Sequence, residues 1–195
     1  MSEGQALPLA ERSDPRIRRT RKAFRQALQE LLQEMPLEAI TIRDIVARAD
    51  IAYTTYFRHY ATKEALLDDL AHEEIGKLLD LTYPVMASKN GYASCETLCL
   101  YVSANRALWS ALLTGGAQGA IRTAFVELTL ARESQWPQVQ SWLPKDIGTT
   151  LAVTSIVELL AWWLRQVEPV LPARVAEIMD RVIVSTLMGT AYAEP

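Results

Sequence analysis

Proline and glycine residues divide this chain of 195 residues into segments in which apolar side chains recur every three or four positions. That spacing places the apolar side chains on one face of an α-helix. We find no segment with the strict apolar–polar alternation of a half-buried strand, no internal repeat and no low-complexity tract. The pattern therefore predicts an all-α protein with about nine helices.

The first helix boundaries are the clearest. Asp14 followed by Pro15 is typical of a helix start, and the Met-Pro pair at residues 35–36 ends that helix. Thr41 and Asp44 have the spacing at which a side chain and the backbone cap a helix reciprocally. This spacing predicts a second, short helix that starts after Thr41.

A tight turn follows the second helix. Asp50 interrupts the helical pattern, and an Asp tolerates the left-handed backbone of such turns, although less readily than glycine. Ile51 is expected to make a buried contact in the turn, and a third helix is predicted over Tyr53–Tyr60. Tyr56 and Tyr60, four residues apart, are expected to face the preceding helices. Two short helices joined in this way have helix-turn-helix geometry, in which the second helix enters the DNA major groove.

Helical spacing continues through the rest of the chain, with Thr62 as the expected cap of the fourth helix. Breaks are predicted around Pro84, at residues 89–91, as a bend at 103–105, at Gly115-Gly116 and over 134–145. The predicted helices cover residues 63–81, 92–113, 118–133, 146–167 and 172–190.

Charge divides the chain into a basic beginning and an acidic remainder. Residues 1–63 hold eleven Lys and Arg against eight Asp and Glu, whereas residues 64–195 hold nine against fifteen. Seven of the basic residues lie within residues 12–25. Arg16 and Arg19 in this run are candidate phosphate contacts, because attraction to phosphate is local and is screened beyond about 10 Å. A solvated helix face explains the same charge equally well.

We predict two domains, a helix-turn-helix domain over residues 1–63, with a basic arm at about 1–14, and a helical domain over residues 64–195. The third helix offers the polar and basic groups that a helix in the major groove needs. These are Tyr53, Thr54, Arg58 and His59, with Lys63 just beyond. The pattern alone leaves an ordinary helical hairpin open.

Other classes of protein fit the composition poorly. No segment approaches the roughly 20 apolar residues of a membrane span, and the first residues lack the apolar core of a secretion signal. Cys95 and Cys99 are the only cysteines, so no disulfide framework is expected and an intracellular, cytoplasmic location is the simplest interpretation. Two histidines and no recognisable catalytic constellation predict a protein that is not an enzyme, with no cofactor and no metal site.

The segment TIRDIVARADIAYTTYFRHYATKEALL (Thr41–Leu67) resembles the N-terminal domain of tetracycline-repressor (TetR) family regulators, and Arg19–Leu32 fits that family's first helix. The resemblance covers about residues 15–67, a third of the chain. It implies an all-helical homodimer whose N-terminal domain binds an operator. It also implies a C-terminal domain that binds a small molecule, which releases the DNA.

The resemblance also implies roles for single residues. Thr41 and Arg43 lie where the family's second helix meets the DNA, with Arg43 in reach of a base edge. Tyr53 and Thr54 occupy the base-facing start of the recognition helix.

Further along, Thr55 matches a phosphate-binding hydroxyl group, and His59 matches a histidine at the helix end, near base and backbone. Lys63 matches the lysine that opens the fourth helix and holds phosphate together with the helix N-terminus.

Three positions depart from the family pattern. Asp50 replaces the usual turn glycine, and Ala52 replaces a polar residue that caps the recognition helix. The family pattern has a pair of aromatic residues at positions 56 and 57, usually with tyrosine second. Here the second residue is Phe57, which lacks the hydroxyl group that would donate a hydrogen bond to phosphate.

The last two predicted helices are the most apolar of the long ones, and the first of them is apolar on more than one side, which requires burial on several sides. The resemblance and the two-fold symmetry of operators favour a four-helix dimer interface, and burial inside the monomer is the alternative. The candidate interface residues are Ile156, Leu160, Trp163, Val175, Ile178 and Val182.

A ligand pocket is also predicted in the C-terminal domain, and ordinary core packing is the alternative for each of its residues. The candidates are Cys95, Cys99, Tyr101, Trp109, Leu112, Phe125 and Trp162.

Together these observations predict a ligand-responsive transcriptional regulator, most simply a repressor that binds a palindromic DNA operator as a homodimer. An apolar or aromatic small molecule is expected to release it. The alternative is a helical small-molecule-binding protein or adaptor of the same fold without operator binding.

Overall fold

The computed structural model of the protein describes residues 14–87, 90–114, 118–132, 143–168 and 170–188. The prediction of an all-α fold is confirmed, because these ranges hold nine α-helices and no strand. The helices are α1 (Pro15–Glu34), α2 (Ile42–Ala49), α3 (Tyr53–Tyr56), α4 (Lys63–Ala87), α5 (Gly91–Ala104), α6 (Arg106–Thr114), α7 (Gln118–Arg132), α8 (Lys145–Leu164) and α9 (residues 172–188). A single 3-10 turn, Leu37–Ala39, lies between α1 and α2.

The chain forms two compact units, Met1–Asp69 and Leu70–Pro195, which divide within α4. The functional boundary at residue 63 stays a prediction. The basic arm proposed for residues 1–14 lies outside the described residues except for Asp14. So do the predicted break at Gly115-Gly116 and most of the predicted loop over 134–145.

Local capping starts α1 and α2 where the sequence predicts. Asp14 Oδ1 accepts a hydrogen bond from the Arg16 amide at 2.8 Å, and Pro15 follows as the first helical residue. At α2 the Thr41 amide donates to Asp44 Oδ2 at 2.8 Å, while the Asp44 amide donates to Thr41 Oγ1 at 3.3 Å. Both ends of this cap are satisfied, as the pattern at Thr41 and Asp44 requires.

The turn between α2 and α3 has the predicted left-handed residue. Asp50 has φ 53° and ψ 47°, and its amide donates to the carbonyl of Ala47 at 3.3 Å. In the described part of the chain it is the only non-glycine residue with positive φ. Ile51, for which a buried contact in the turn is predicted, is half-buried.

The recognition helix α3 is shorter than predicted. It covers Tyr53–Tyr56, and residues 57–59 continue as a turn in which the Arg58 amide donates to the Thr55 carbonyl at 3.2 Å. Ala52 precedes α3 without a side-chain cap. An uncapped four-residue helix gains little by itself, so packing must hold it in place.

Aromatic packing supplies that support. Phe24 of α1 is fully buried, with its ring 5.2 Å from the ring of Tyr56 in an edge-to-face arrangement. Tyr60 lies 6.2 Å from Phe24 in a similar geometry. Tyr56 and Tyr60 therefore face the core, as predicted, and the Tyr56 hydroxyl finds its partner in the carbonyl of Thr62 at 3.0 Å.

Helix α4 continues to Ala87, so the loop predicted around Pro84 is wrong. A proline has a helical φ, but beyond the first turn it removes the hydrogen bond to the carbonyl four residues earlier, which costs stability. Burial of Leu78, Leu79 and Thr82 just before it offsets that cost. The bend predicted at 103–105 is confirmed, since α5 ends at Ala104 and α6 begins at Arg106.

In the second unit α5 packs on α9, and α8 packs on α6 and α7. Its core includes the fully buried side chains of Trp109, Val157 and Met179. The stretch Asp146–Leu164 of α8 is long and apolar enough to cross a membrane by length and composition, contrary to the expectation from sequence. Since Leu160, Ala161 and other side chains of α8 are buried in this unit, the same composition is that of a core helix.

Helix α9 is not a uniform α-helix. It begins as Pro172–Met179, passes through a π-helical turn at Asp180–Val184 and ends as Ser185–Met188. A Cβ at Gly91 would lie 2.5 Å from Asp180 Oδ1 and 3.1 Å from Val184 Cγ1, so a larger residue at this close approach would require those side chains to move.

The left-handed turn residue allows a stability test. We expect Asp50→Ala to lower the free energy of unfolding by about 1 kcal/mol, because alanine lacks the polar side chain that eases this conformation. Asp50→Gly should be at least as stable as the alanine variant. Urea unfolding followed by circular dichroism measures both, and alanine equal to or above wild type would contradict the expectation.

Candidate nucleic-acid interface

Most of the predicted DNA-binding residues are exposed to solvent, and they lie on α1, at or near α2, and on or just after α3. The exposed ones are Arg16, Arg19, Thr41, Arg43, Tyr53, Thr54 and Arg58, and the half-buried ones are Thr55, His59 and Lys63. The Thr41 hydroxyl donates to Asp44 Oδ2 at 2.6 Å, so it is already engaged in the helix cap.

Four of the exposed side chains provide positive charge. Arg16 and Arg19 lie on α1, Arg43 lies on α2, and Arg58 directly follows α3. Within the described ranges none of these four guanidinium groups takes part in an ion pair. Their charge is therefore directed to solvent, where an anionic partner can reach it.

The basic residues of α1 fall into two groups, those exposed to solvent and those that pair with an acid of the same unit. Arg21 Nη2 and Arg25 Nη1 each lie 2.6 Å from the carboxylate of Asp69 on α4. The Tyr60 hydroxyl donates to the same carboxylate at 2.6 Å and accepts from Arg21 Nε at 3.2 Å. Arg21 and Arg25 therefore join α1 to α4, and the part of the predicted basic surface that included them is corrected.

Sequence reasoning missed this network of Arg21, Arg25, Tyr60 and Asp69. The available signal was weak: Asp69 follows the buried Leu66 by three positions, which places an acid beside an apolar side chain of α4. A carboxylate in that position needs cationic partners.

The network controls the ionisation of Asp69. Burial alone would raise the pKa of Asp69, but hydrogen bonds from Tyr60 and Arg25 and the charges of Arg21 and Arg25 outweigh it and hold that pKa below its usual range. The carboxylate is therefore fully ionised at neutral pH.

Lys63 has a structural contact in addition to its predicted role. Its Nζ donates to the carbonyls of Leu37 and Ile40 at 2.7 and 2.8 Å, which ties the 3-10 turn to the start of α4. Thr62 Oγ1 accepts from the Ala65 amide at 3.2 Å and caps this helix, as predicted. The phosphate contact of Lys63 stays a prediction.

His59 lies beside this network, half-buried. Burial, followed by the charges of Arg21 and Arg58, lowers the pKa of His59. The imidazole is therefore neutral at pH 7, and a contact with DNA would rest on hydrogen bonding.

Among the predicted ligand-pocket residues, the structure brings together Tyr101, Trp109 and Phe125, which form the cluster around Trp109. Cys95, Cys99, Trp109, Leu112 and Phe125 are buried, and Tyr101 is half-buried. The Trp109 ring lies 6.4 Å from that of Tyr101 and 6.3 Å from that of Phe125. Trp162 is 40% exposed on α8, so its assignment to a pocket is corrected.

Polar groups border this cluster. The Tyr101 hydroxyl donates to the buried carboxylate of Glu74 at 2.6 Å, and Lys77 pairs with Glu74 at 2.7 Å. Trp109 Nε1 is buried and donates no hydrogen bond. Burial raises the pKa of Cys95 and Cys99 to about 12, so both thiols stay protonated.

The residues predicted for the dimer interface differ in their burial. Leu160, Trp163 and Val175 are buried within the chain, and Trp163 Nε1 donates to the Val170 carbonyl at 2.8 Å. These three assignments are corrected, because a side chain enclosed by its own chain cannot contact a partner. Ile156 and Ile178 are half-buried.

The exposed apolar side chains lie elsewhere on the same helices. Val182 of α9 is 65% exposed. Ile147, Leu151 and Trp162 are exposed on α8 at a spacing that places them along one face.

No group of three or more His, Cys, Asp or Glu side chains is arranged to hold a metal ion among the residues that the structure describes.

Residues 25–70 match the family model of bacterial regulatory proteins, tetR family. A stretch of 68 residues is 35% identical to an HTH-type transcriptional regulator of Bacillus subtilis strain 168, YxbF, whose name describes it as uncharacterised. This match covers 34% of the chain and 18% of that protein, less than a fifth of its length.

Solved structures resemble nearly the whole chain. The TetR transcriptional regulator from Streptococcus agalactiae 2603V has a TM-score of 0.57 and 21% identity, over 89% of this chain and 98% of that one. The TetR family repressor AlkX from Dietzia sp. strain DQ12-45-1b has a TM-score of 0.63 and 16% identity, over 87% and 98%. FadR of Thermus thermophilus, solved with lauroyl-CoA, has a TM-score of 0.61 and 15% identity, over 90% and 98%.

The first unit, with its capped α2, left-handed turn and short α3, is a helix-turn-helix domain of the type found in bacterial transcription regulators. Residues 25–70 of this chain therefore resemble the corresponding segment of bacterial regulatory proteins of the tetR family.

The Asp69 network predicts a pH-dependent stability. We expect Asp69→Asn to lower the free energy of unfolding at pH 7 by about 2–3 kcal/mol, the value of charge-assisted hydrogen bonds. The pKa of Asp69 is lowered by folding, so its stabilisation is complete at neutral pH and is lost as the pH falls below the unfolded value of about 4. The difference in the free energy of unfolding between wild type and Asp69→Asn should therefore become smaller toward about pH 3.

Urea unfolding at several pH values measures this difference. Glu34→Gln is the matched control, because Glu34 pairs with Arg48 at 2.7 Å on an exposed surface, where solvent screens the pair and its contribution to stability is small. The stabilising role of the Asp69 carboxylate would be contradicted if the loss of unfolding free energy in Asp69→Asn did not change with pH. It would also be contradicted if Glu34→Gln lost as much stability as Asp69→Asn.

Proposed function

We propose that the protein is a cytoplasmic homodimeric repressor that binds a palindromic DNA operator through α2 and α3 and is released by an apolar or aromatic small molecule. The observation that carries the proposal is the helix-turn-helix geometry within the segment that matches the tetR family model, with exposed arginines around it that form no ion pair among the described residues. Helix α3 presents Tyr53 and Thr54 to the base edges. Arg16 and Arg19 on α1 hold phosphates and set the position of the domain.

Base readout and phosphate binding predict different mutational effects. Arg19→Ala should weaken binding to all duplexes and reduce the slope of log affinity against log salt by about 0.9 for each phosphate that is no longer neutralised. Arg43→Ala should instead relax the preference at one base pair, at a cost of about 1–3 kcal/mol. Lys63→Ala is a less decisive test, since it also removes the two hydrogen bonds to Leu37 and Ile40.

Fluorescence anisotropy with duplexes selected from a random-sequence pool measures both effects. Arg165→Ala is the control, because Arg165 is an exposed arginine of the second unit. If Arg19→Ala behaves like this control, its phosphate role is excluded. Failure of the wild-type protein to bind any duplex would favour the small-molecule-binding alternative.

Dimer formation is proposed through the exposed apolar face of α8 and α9. A palindromic operator requires a two-fold pair of recognition helices. Exposed apolar side chains at Ile147, Leu151, Trp162 and Val182 give this face the composition of an interface.

Two valines of α9 distinguish the interface from the core. Val182→Asp should dissociate the dimer and leave each chain folded, because Val182 is exposed in the single chain. Val175→Asp should unfold the second unit, because it places a charge in the core. Sedimentation equilibrium and circular dichroism measure both, and a stable Val182→Asp dimer would place the interface elsewhere.

The ligand proposal rests on the buried cluster around Trp109. This cluster combines aromatic and apolar side chains with one unused donor, Trp109 Nε1, and therefore suits an apolar or aromatic molecule that carries a hydrogen-bond acceptor. Proteins of similar fold bind such molecules, since FadR was solved with lauroyl-CoA and the multidrug binding protein EbrR with imidazole.

Tryptophan fluorescence can report on this ligand, because all five tryptophans follow residue 105. A ligand of the proposed class should quench the fluorescence and weaken DNA binding in the same concentration range, by a coupling of about 1–3 kcal/mol. Trp109→Phe should remove most of the quenching, whereas Trp162→Phe, on the exposed face, should not. A ligand that saturates the protein without any change in DNA affinity would exclude release by that ligand.

A further inference from the structure

Two large aromatic side chains are exposed at the recognition helix. Tyr53 and Phe57 each leave 47% of their surface open to solvent. The proposed function gives Tyr53 a role at the bases but gives Phe57 none, since a phenyl ring cannot donate a hydrogen bond to phosphate or to a base.

The ring of Phe57 is held in place from two sides. It lies 5.3 Å from the ring of Tyr53 and 5.5 Å from that of Tyr56, edge-to-face in both cases. Tyr56 is fully buried, and its hydroxyl is bound to the Thr62 carbonyl. The exposed part of Phe57 is therefore a fixed apolar surface.

The surroundings of Phe57 identify the partner. Arg58 follows it directly, and Arg43 on the adjacent α2 is exposed and unpaired. A small apolar surface among basic groups suits a polyanion that carries a small apolar group. In the DNA major groove the only such group is the C5-methyl of thymine, which phenylalanine contacts in known complexes.

We propose that Phe57, supported by Tyr53, is a specificity-determining residue that contacts a thymine C5-methyl group in each half of the operator. The inference rests on the proposed operator binding. Two aromatic rings are too small a patch for a stable protein–protein interface, which needs about 1,000 Å² in total. Double-stranded DNA is therefore the occupant.

Deoxyuridine tests the contact, because it pairs like thymine but lacks the methyl group. Duplexes selected by the wild-type protein from a random-sequence pool are resynthesised with deoxyuridine at one thymine position, in both half-sites. We expect the affinity to fall about fourfold for each methyl group removed at the contacted position, the effect of exposing one buried methyl-sized group. Other thymine positions should show no change.

Variants of Phe57 assign this effect to the side chain. Phe57→Ala should bind thymine and deoxyuridine duplexes equally at that position, whereas Phe57→Tyr retains the ring and should retain the difference. Tyr92→Ala, which removes an exposed aromatic ring from the second unit, should behave as wild type. Circular dichroism confirms the fold of each variant.

The results separate the two proposals. DNA binding in which no thymine position depends on its methyl group, or in which Phe57→Ala keeps that dependence, overturns the role of Phe57 and leaves operator binding intact. Absence of binding to any duplex overturns both.

Discussion

The interaction on which the first unit depends is the carboxylate of Asp69 between two guanidinium groups and a phenol. Arg21, Arg25 and Tyr60 reach it from two parts of the chain, so α1 and the end of the helix-turn-helix are held against α4 by one charge. A buried carboxylate with these partners is strongly favoured over an unpaired one. The same interactions remove two arginines from the basic surface and leave Arg16, Arg19, Arg43 and Arg58 for an anionic partner.

Of the aromatic residues in and near α3, two are buried and two are exposed. Tyr56 and Tyr60 are buried and pack against Phe24 of α1, whereas Tyr53 and Phe57 are exposed to solvent. A four-residue helix without a side-chain cap gains little stability from its own hydrogen bonds. Its position therefore depends on the buried pair, and this leaves the exposed pair available for recognition.

In the second unit, single helices carry both buried core residues and exposed apolar residues. On α8, Leu160 and Trp163 are buried while Leu151 and Trp162 are exposed, and on α9, Val175 is buried while Val182 is exposed. The buried cluster at Trp109 lies in the same unit. Ligand binding and dimer formation, as proposed, therefore use different residues of one helical framework.

The sequence by itself determined the helix starts at Asp14 and Thr41 and the left-handed turn at Asp50, because a cap or a turn depends on groups within about four residues. It also identified which residues are basic and which faces are apolar. Only the tertiary structure decided that Arg21 and Arg25 pair with Asp69, more than forty positions away, and that α4 continues past Pro84. Helical spacing shows that a face is apolar, but it does not show whether the same chain or a partner covers that face. For this reason Leu160, Trp163 and Val175 became core residues while Val182 remained exposed.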